Sequence, residues 1–291
     1  MTADLLDSPP RSWLFVPATR VAELLPKALA SGADALIVDL EDAVAPYEKD
    51  SARSRLLDAV RGSRLPVPWF VRVNASPPAL LETDAAAAVQ AQAGGVVLPK
   101  VSDPEDIQRV SEMMGRLETS HGGQRLVIVA LIESARGVLA AEQIVAADQR
   151  VVGLGFGGED FAADIGALRT RGGVELLHAR GRLVLAAAAA GKWAIDTPCT
   201  DIGSPSQAAR EAGLARRLGF VGKLVIHPSH VKPVNDAFAP SERELAAARA
   251  VVDAFETAKA EGQGVVRVDG RMVDEPVAAA ARRVIARGRR C

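Results

Sequence analysis

Two carboxylates stand out because of what precedes them. Glu133 directly follows the apolar run Leu126–Ile132, and Asp160 lies just past the glycine-rich stretch Gly153–Gly158. If those stretches are consecutive strands of one sheet, both acids sit on neighbouring loops of one face. No cysteine or histidine lies near either, and oxygen donors without nitrogen or sulfur favour a hard cation. Magnesium takes one or two protein carboxylates and keeps its other positions for water and substrate oxygens. The competing arrangement pairs Glu133 with Arg136 and uses Asp160 to cap a helix beginning at Phe161; spacing alone leaves both open. Arg72 is the third candidate. It lies among Trp69, Phe70, Val71 and Val73, and a guanidinium in a buried run is costly unless it meets an anion. That anion is either a ligand or a structural partner, Glu41 or Asp42.

Other constellations carry less. Gly153, Gly155 and Gly158 satisfy the dinucleotide-binding spacing, but Glu159 and Asp160 would repel a pyrophosphate at the helix start, and the acid expected about twenty residues on falls in a helical stretch near Glu175. There is no P-loop and no serine nucleophile elbow. Cys199 has no obvious activating neighbour and reads as structural. His227 and His230 are thin as a metal pair, and His227-Pro228 reads as the organiser of a turn.

The elements that must position these groups are visible as alternation. Short continuous apolar runs occur at Trp13–Pro17, Ala35–Leu40, Trp69–Val73, Gly95–Leu98, Leu126–Ile132, Val151–Phe156, Trp193–Ile195 and Lys223–Ile226, as expected of strands buried on both faces of a parallel sheet. Helical stretches separate them, among them Val21–Ala30, Ala52–Val60, Pro104–Leu117, Val138–Ala147 and Gln207–Leu218. Several stop at a glycine, including Gly32, Gly94 and Gly219, the usual signal just past a helix end. Eight such units predict a (β/α)8 TIM barrel, with a doubly wound open sheet as the alternative. Polar residues follow the strand ends: Thr19 and Arg20, Glu41 and Asp42, Arg72 and Asn74, Lys100, Glu133, Glu159 and Asp160, Asp196, and His227. In a barrel these converge on one mouth. Residues 1–235 are assigned to the barrel and 236–291 to an extension. In the latter Ser241 and Glu244 form a capping box for a helix to Lys259, Val265–Val268 and Arg271–Val273 form a hairpin, and Pro276–Ala286 forms a last helix before Arg287, Arg289 and Arg290.

Composition narrows the function classes. The chain has 291 residues, 48% hydrophobic and 24% charged, with 35 Lys and Arg against 36 Asp and Glu. That balance excludes a strongly basic nucleic-acid binder. Two cysteines, Cys199 and Cys291, give no disulfide framework or zinc spacing. The longest apolar runs are about a third of the ~20 residues a membrane span needs, and the first ten residues lack a signal-peptide pattern, which predicts a cytoplasmic chain. With 4% aromatic residues, the core is expected to be mostly small and aliphatic.

At these residues the chain resembles the citrate lyase β-subunit-like branch of the HpcH/HpaI aldolase superfamily. The matching stretches are Arg11–Pro17, Gly32–Val44, Val71–Asn74, Leu98–Lys100, Leu131–Ser134, Gly153–Gly166, Ala194–Pro198 and Gly222–Pro228, in order and over nearly the whole chain; Ala18 replaces a usual glycine. The resemblance implies a Mg²⁺-dependent TIM-barrel lyase that cleaves or forms a carbon–carbon bond in a β-hydroxyacyl thioester such as malyl-, citramalyl- or citryl-CoA. It also implies that Glu133 and Asp160 hold the metal, with Glu133 also facing substrate, and that Arg72 and Lys100 bind substrate. Glu41 or Asp42 would orient Arg72 and metal-bound waters. Asp274 would be the acid of a C-terminal lid supplied by an adjacent subunit of a homo-oligomer, a trimer or a multiple of it. Arg20, Lys49 and Arg53 are candidates for the carrier's phosphates on sign of charge. Two other outcomes are a thioester-hydrolysing malate- or citramalate-synthase-like enzyme, and a subunit acting only on acyl-carrier-protein thioesters in a complex.

Overall fold

The computed structural model describes residues 9–288. Eight parallel strands close on themselves in sequence order: β1 (Ser12–Pro17), β2 (Ala35–Asp39), β3 (Trp69–Arg72), β4 (Gly95–Leu98), β5 (Val127–Ile132), β6 (Val151–Phe156), β7 (Trp193–Asp196) and β8 (Gly222–Val225). Closure is made where β1 pairs with β8, Trp13 opposite Leu224. The open-sheet alternative is thereby excluded. Most strand positions are buried, so the sequence shows continuous apolar runs instead of alternation.

Around the barrel run α1 (Val21–Ala30), α2 (Lys49–Val60), α3 (Pro78–Gln90), α4 (Pro104–His121), α5 (Ala135–Leu139), α6 (Ala141–Ala146), α7 (Gly158–Asp164), α8 (Leu177–Ala189), α9 (Pro205–Leu218) and α10 (Val231–Phe238). Local chemistry sets their ends. Asp103 and Asp106 form a capping box with Pro104 in the first turn of α4, and Gly219 closes α9 at φ 106°, a left-handed conformation that other residues resist. One expectation needs correction. The helix expected over Val138–Ala147 is two short ones that break at Ala140, after Ser134 caps the first by accepting the Gly137 N–H. The short α10 follows β8, where Val231 and Val234 are buried; two turns are too short for a clear period.

The barrel interior also departs from the small-aliphatic expectation. Trp13 packs against Phe70 at 4.8 Å and Trp193 at 5.9 Å between ring centroids, within a layer completed by Ile37, Val129, Leu131, Ile195 and Leu224. Few aromatics exist, and three of them fill the hole that eight strands leave. Glycines make the room: a Cβ on Gly95 would overlap the Val127 carbonyl and lie 2.9 Å from Phe70.

The chain divides into two compact units between Asp236 and Ala237. The second contains α11 (Glu242–Ala260), which starts in the expected Ser241/Glu244 capping box, then antiparallel β9 (Val266–Val268) and β10 (Arg271–Val273), and α12 (Glu275–Gly288). Asp269 and Gly270 both have positive φ, 45° and 78°, as a two-residue type I′ hairpin requires. Phe255, Val273 and Ala278 form this unit's small core. Arg289 and Arg290 lie outside the described residues. Among the described residues, no helix is long and apolar enough to cross a membrane.

Because backbone blocks the space at position 95, Gly95→Ala should destabilise the protein by about 2 kcal/mol, the scale of an overpacked core. A lower urea midpoint at unchanged slope would show it; an unchanged midpoint would mean that strands β3 to β5 yield freely.

Candidate active site

The side chains that leave the C-terminal strand ends meet at one mouth. Register places Asp39 beside Arg72 on adjacent strands. Arg72 Nε donates to Asp39 Oδ1 at 2.7 Å and Nη2 to Asp39 Oδ2 at 2.6 Å, a two-pronged fork. Its Nη1 reaches Asp42 at 3.0 Å and lies 3.1 Å from Glu41. The guanidinium carbon also sits 4.8 Å from the centre of the Phe15 ring. The principal partner is therefore Asp39, which sequence reasoning passed over in favour of Glu41 and Asp42. Asp39 additionally accepts the Glu41 and Ala43 N–H groups, fixing the loop that carries the other two acids.

Lys49 and Arg53 support that loop from behind. Lys49 Nζ donates to the Leu40 and Glu41 carbonyls, each at 2.7 Å. Arg53 holds buried Asp84 at 2.7 Å, and Asp84 accepts the side-chain and backbone N–H groups of Asn74. Arg20 pairs with Glu23 on an exposed turn. All three cations thus have internal partners.

Lys100 joins the two halves of the mouth. Its backbone takes φ 57°, unusual for a residue with a side chain, and so turns its N–H onto Glu133 Oε2 at 3.0 Å. Its ammonium donates to Glu41 Oε1 at 2.5 Å. Glu41 Oε2 is buried and accepts no hydrogen bond. Burial pushes the Glu41 carboxyl up, against the pull of Lys100 and Arg72.

Glu133 is buried at the end of β5. Burial, then repulsion from Asp160 and Glu41, pushes its carboxyl to about 8, against the Lys100 N–H and the Arg72 charge. A Cβ on Gly157 would stand 2.6 Å from Glu133 Oε1, so the bare glycine makes space for the acid. Arg136 pairs with Asp103 and leaves Glu133 alone. Asp160 sits within the first turn of α7, which begins at Gly158 and not at Phe161, and so is no cap for a later helix. Gly153 and Gly155 lie inside β6, where Cβ atoms would crowd Trp193 and Leu131; the dinucleotide-like spacing is a packing device. Glu159 turns to Arg169 at 2.7 Å.

Where α8 meets β7 and β8 lies a buried charge group of which the sequence pointed only to Asp196. Asp196 takes a fork from Arg180 at 2.9 and 2.8 Å and an ammonium bond from Lys223 at 2.9 Å. Lys223 also donates to the Thr197 carbonyl at 2.6 Å, and the Thr197 hydroxyl accepts the Gly158 N–H at 2.9 Å, where the Asp160 helix begins. Lys223 within an apolar run was the available signal, of the same kind as Arg72. Burial raises the Cys199 thiol, in keeping with a structural role, and His227 accepts the Ser229 N–H in the turn after β8.

The acids and Arg72 line a cleft of about 530 Å³ with Phe15, Leu131, Thr197, Ile202 and Leu224. Asp39, Glu41, Asp42, Glu133 and Asp160 outnumber the cations Arg72 and Lys100. Among the described residues, no three His, Cys, Asp or Glu side chains form a cage. Two hard carboxylates in an acid-rich cleft without sulfur or imidazole donors fit an ion that keeps water and substrate oxygens, which is magnesium's habit. Asp274 lies in the second unit and accepts the Val277 N–H at 3.2 Å, starting α12.

A barrel with this acid pair and arginine at its C-terminal mouth has the makings of a metal-assisted enzyme. A family model, HpcH/HpaI aldolase/citrate lyase, matches residues 11–228. Citrate lyase subunit beta of Escherichia coli (strain K12) is 36% identical over 280 residues, spanning 95% of this chain and 92% of that one. The L-malyl-CoA/beta-methylmalyl-CoA lyase of Cereibacter sphaeroides is 32% identical over 91% of this chain and 90% of its own. The protein CitE of Mycobacterium tuberculosis, solved with magnesium, acetoacetate and coenzyme A, superposes with a TM-score of 0.81 at 33% identity, covering 97% of this chain and 99% of that one. The chain belongs to the HpcH/HpaI aldolase/citrate lyase family and is a carbon–carbon lyase.

The Glu133 carboxyl gives a pH signature. Titrating at about 8 when folded against the ordinary 4.5, it leaves the folded state holding an extra proton between those values, so metal-free stability falls as pH rises through that window. Glu133→Gln should flatten this fall in Tm between pH 5 and 8. Calorimetry at pH 7 in buffers of different ionisation enthalpy should show proton release on Mg²⁺ uptake, absent in the variant.

Proposed function

We propose that the protein is a magnesium-dependent lyase that cleaves, or in reverse forms, the carbon–carbon bond of a β-hydroxyacyl thioester. The observation that carries this reading is that Glu133, Asp160 and Arg72 line one cleft at the barrel mouth. The magnesium and coenzyme A of the Mycobacterium tuberculosis protein and the malyl-CoA activity named for the Cereibacter relative support the cofactor and substrate class.

Glu133 and Asp160 would hold the ion. When bound, magnesium supplies positive charge that draws electrons from the substrate's hydroxyl and carboxylate oxygens. The residues of the chain do the rest. Cleavage moves the electron pair of the breaking bond onto the thioester as an enolate, while the hydroxyl proton leaves to a cleft carboxylate and the hydroxyl carbon becomes a carbonyl. Arg72 stabilises the enolate oxygen through Nη1. Its other edge stays forked on Asp39, so the guanidinium is fixed before substrate arrives, and exposed Asp42 is the partner that yields. Lys100 anchors Glu41 and Glu133. Asp274, the acid we assign to a lid from a neighbouring subunit, delivers a proton to the enolate carbon or removes it in condensation.

The test is an assay of malyl-, citramalyl- and citryl-CoA with Mg²⁺. At least one should be cleaved, and Glu133→Gln and Asp160→Asn should each lose both Mg²⁺ binding and turnover; full activity in either rejects the assignment. Arg72→Lys, which loses the fork, should lower kcat by about 10²-fold or more, the usual cost of an oxyanion donor. Free CoA from acetyl-CoA plus glyoxylate would mark a synthase, and turnover restricted to carrier-protein thioesters would mark a complex subunit.

The role of Asp274 has its own test. Mixing inactive Glu133→Gln and Asp274→Asn chains under subunit exchange should restore activity, since some sites then combine intact partners. No recovery with proven exchange would place Asp274 in the site of its own chain, and an active Asp274→Asn protein would place it outside the reaction.

A further inference from the structure

Asp160 stands on a weak support. The helix that carries it, α7, has seven residues, too few to persist without help from its surroundings. Its first N–H groups need acceptors that the helix itself lacks, and a Ser, Thr, Asp or Asn just before the helix is the usual source. Here that position is Gly157, and no side chain caps α7 from it. The reason is Glu133. A Cβ at 157 would run into Glu133 Cγ and stand 2.6 Å from Glu133 Oε1. The glycine that makes room for one carboxylate therefore strips the cap from the helix bearing the other.

Thr197 supplies the missing acceptor from 39 residues away. Its hydroxyl accepts the Gly158 N–H, the first of α7, at 2.9 Å in a buried contact. The approach is close: a Cβ on Gly158 would stand 2.9 Å from that hydroxyl oxygen and 3.2 Å from the Thr197 Cβ. Thr197 is itself held, just past β7, by a costly arrangement. Lys223 Nζ donates to its carbonyl at 2.6 Å and to Asp196 at 2.9 Å, and Arg180 forks onto Asp196. Arg180, Asp196, Thr197 and Lys223 are all more than nine-tenths buried, and of the four only Thr197 lines the cleft. Buried ions seldom improve on hydrophobic packing in net stability, so their worth here is placement.

We propose, resting on the reading of Asp160 as a magnesium ligand, that Thr197 is a positioning residue. It caps α7 from the segment after the neighbouring strand and holds Asp160 where it can share an ion with Glu133, and Lys223 acts through it. The two acids are thus not held alike. Glu133 ends a strand of the barrel, whereas Asp160 depends on a hydroxyl borrowed from the next loop.

The experiment measures Mg²⁺ binding to the full-length protein by calorimetry, and amide hydrogen exchange across α7. Thr197→Val keeps the shape of the side chain, and Thr197→Ser keeps its hydroxyl. Thr197→Val should weaken Mg²⁺ binding by about fivefold or more, the worth of one buried hydrogen bond, and speed exchange in α7 by a similar factor while α4 is unchanged. Thr197→Ser, with the bond kept, should stay within about twofold of the unaltered protein on both counts. Lys223→Met should weaken Mg²⁺ binding in the same direction, and full affinity there overturns its part. Unchanged Mg²⁺ affinity in a folded Thr197→Val protein, equal loss in the Val and Ser variants, or unaltered exchange in α7 overturns the role of Thr197 and leaves the lyase reading standing. If the unaltered protein takes up no Mg²⁺, the lyase reading falls and this role with it.

Discussion

The mouth of the barrel depends on carboxyl groups that the fold holds together in a poorly hydrated place, at the end of β5 and the start of α7. Burial first, then the Asp160 and Glu41 charges, penalise an ionised Glu133; in a flexible chain these acids would turn outward into water. Here each is fixed from behind: Glu133 by the Lys100 N–H and the bare Gly157, and Asp160 by a helix whose first N–H is held on Thr197. On the reading proposed above, a divalent ion held between Glu133 and Asp160 would offset this crowding of acids. Local instability of this kind is tolerable only because a closed parallel barrel, with most strand positions buried, supplies stability elsewhere.

Two buried charge groups flank these acids. Around Arg72, the Asp39 fork and the Phe15 ring fix the plane of the guanidinium, while Lys49, Asn74 and Asp84 hold the loop that brings Glu41 and Asp42 to it. Where α8 meets β7 and β8, Asp196, Arg180 and Lys223 lock the Thr197 segment. Buried ion pairs contribute little net stability against well-packed hydrophobic residues. Their value here lies in direction: each ends in a backbone or hydroxyl contact that sets where a mouth carboxylate stands.

What could be read from the chain followed from what each residue's neighbours reveal. The strands were legible because burial on both faces leaves an unbroken apolar run, and Glu133 because it ends one. The partner of Arg72 was hidden, since Asp39 meets it through strand register from 33 residues away, and a sequence-local pattern does not show which strands pair. The Lys100 contact needs a left-handed backbone at a non-glycine residue, which composition does not announce. Gly153 and Gly155 match a nucleotide motif by spacing, which Glu159 and Asp160 already argued against; they sit in a strand and make room for Trp193 and Leu131.

The same layout separates reactivity from choice. On the reading proposed above, the acid pair and Arg72 would engage only atoms that every β-hydroxyacyl thioester shares: a carboxylate, a hydroxyl and a thioester carbonyl. They cannot tell one such substrate from another. Discrimination is left to the rest of the wall, and a hydrocarbon wall discriminates weakly against a methyl group but strongly against a charge, because a missing contact costs far less than an anion stripped of its partners. A relative on the same frame could therefore change its acid by exchanging a wall residue such as Ile202 or Ile226, without disturbing the carboxylates. That division is possible because the groups doing chemistry are fixed at strand ends and first helical turns, while Ile202 and Ile226 lie in the segments just past β7 and β8, where side chains can change without unpairing a buried charge.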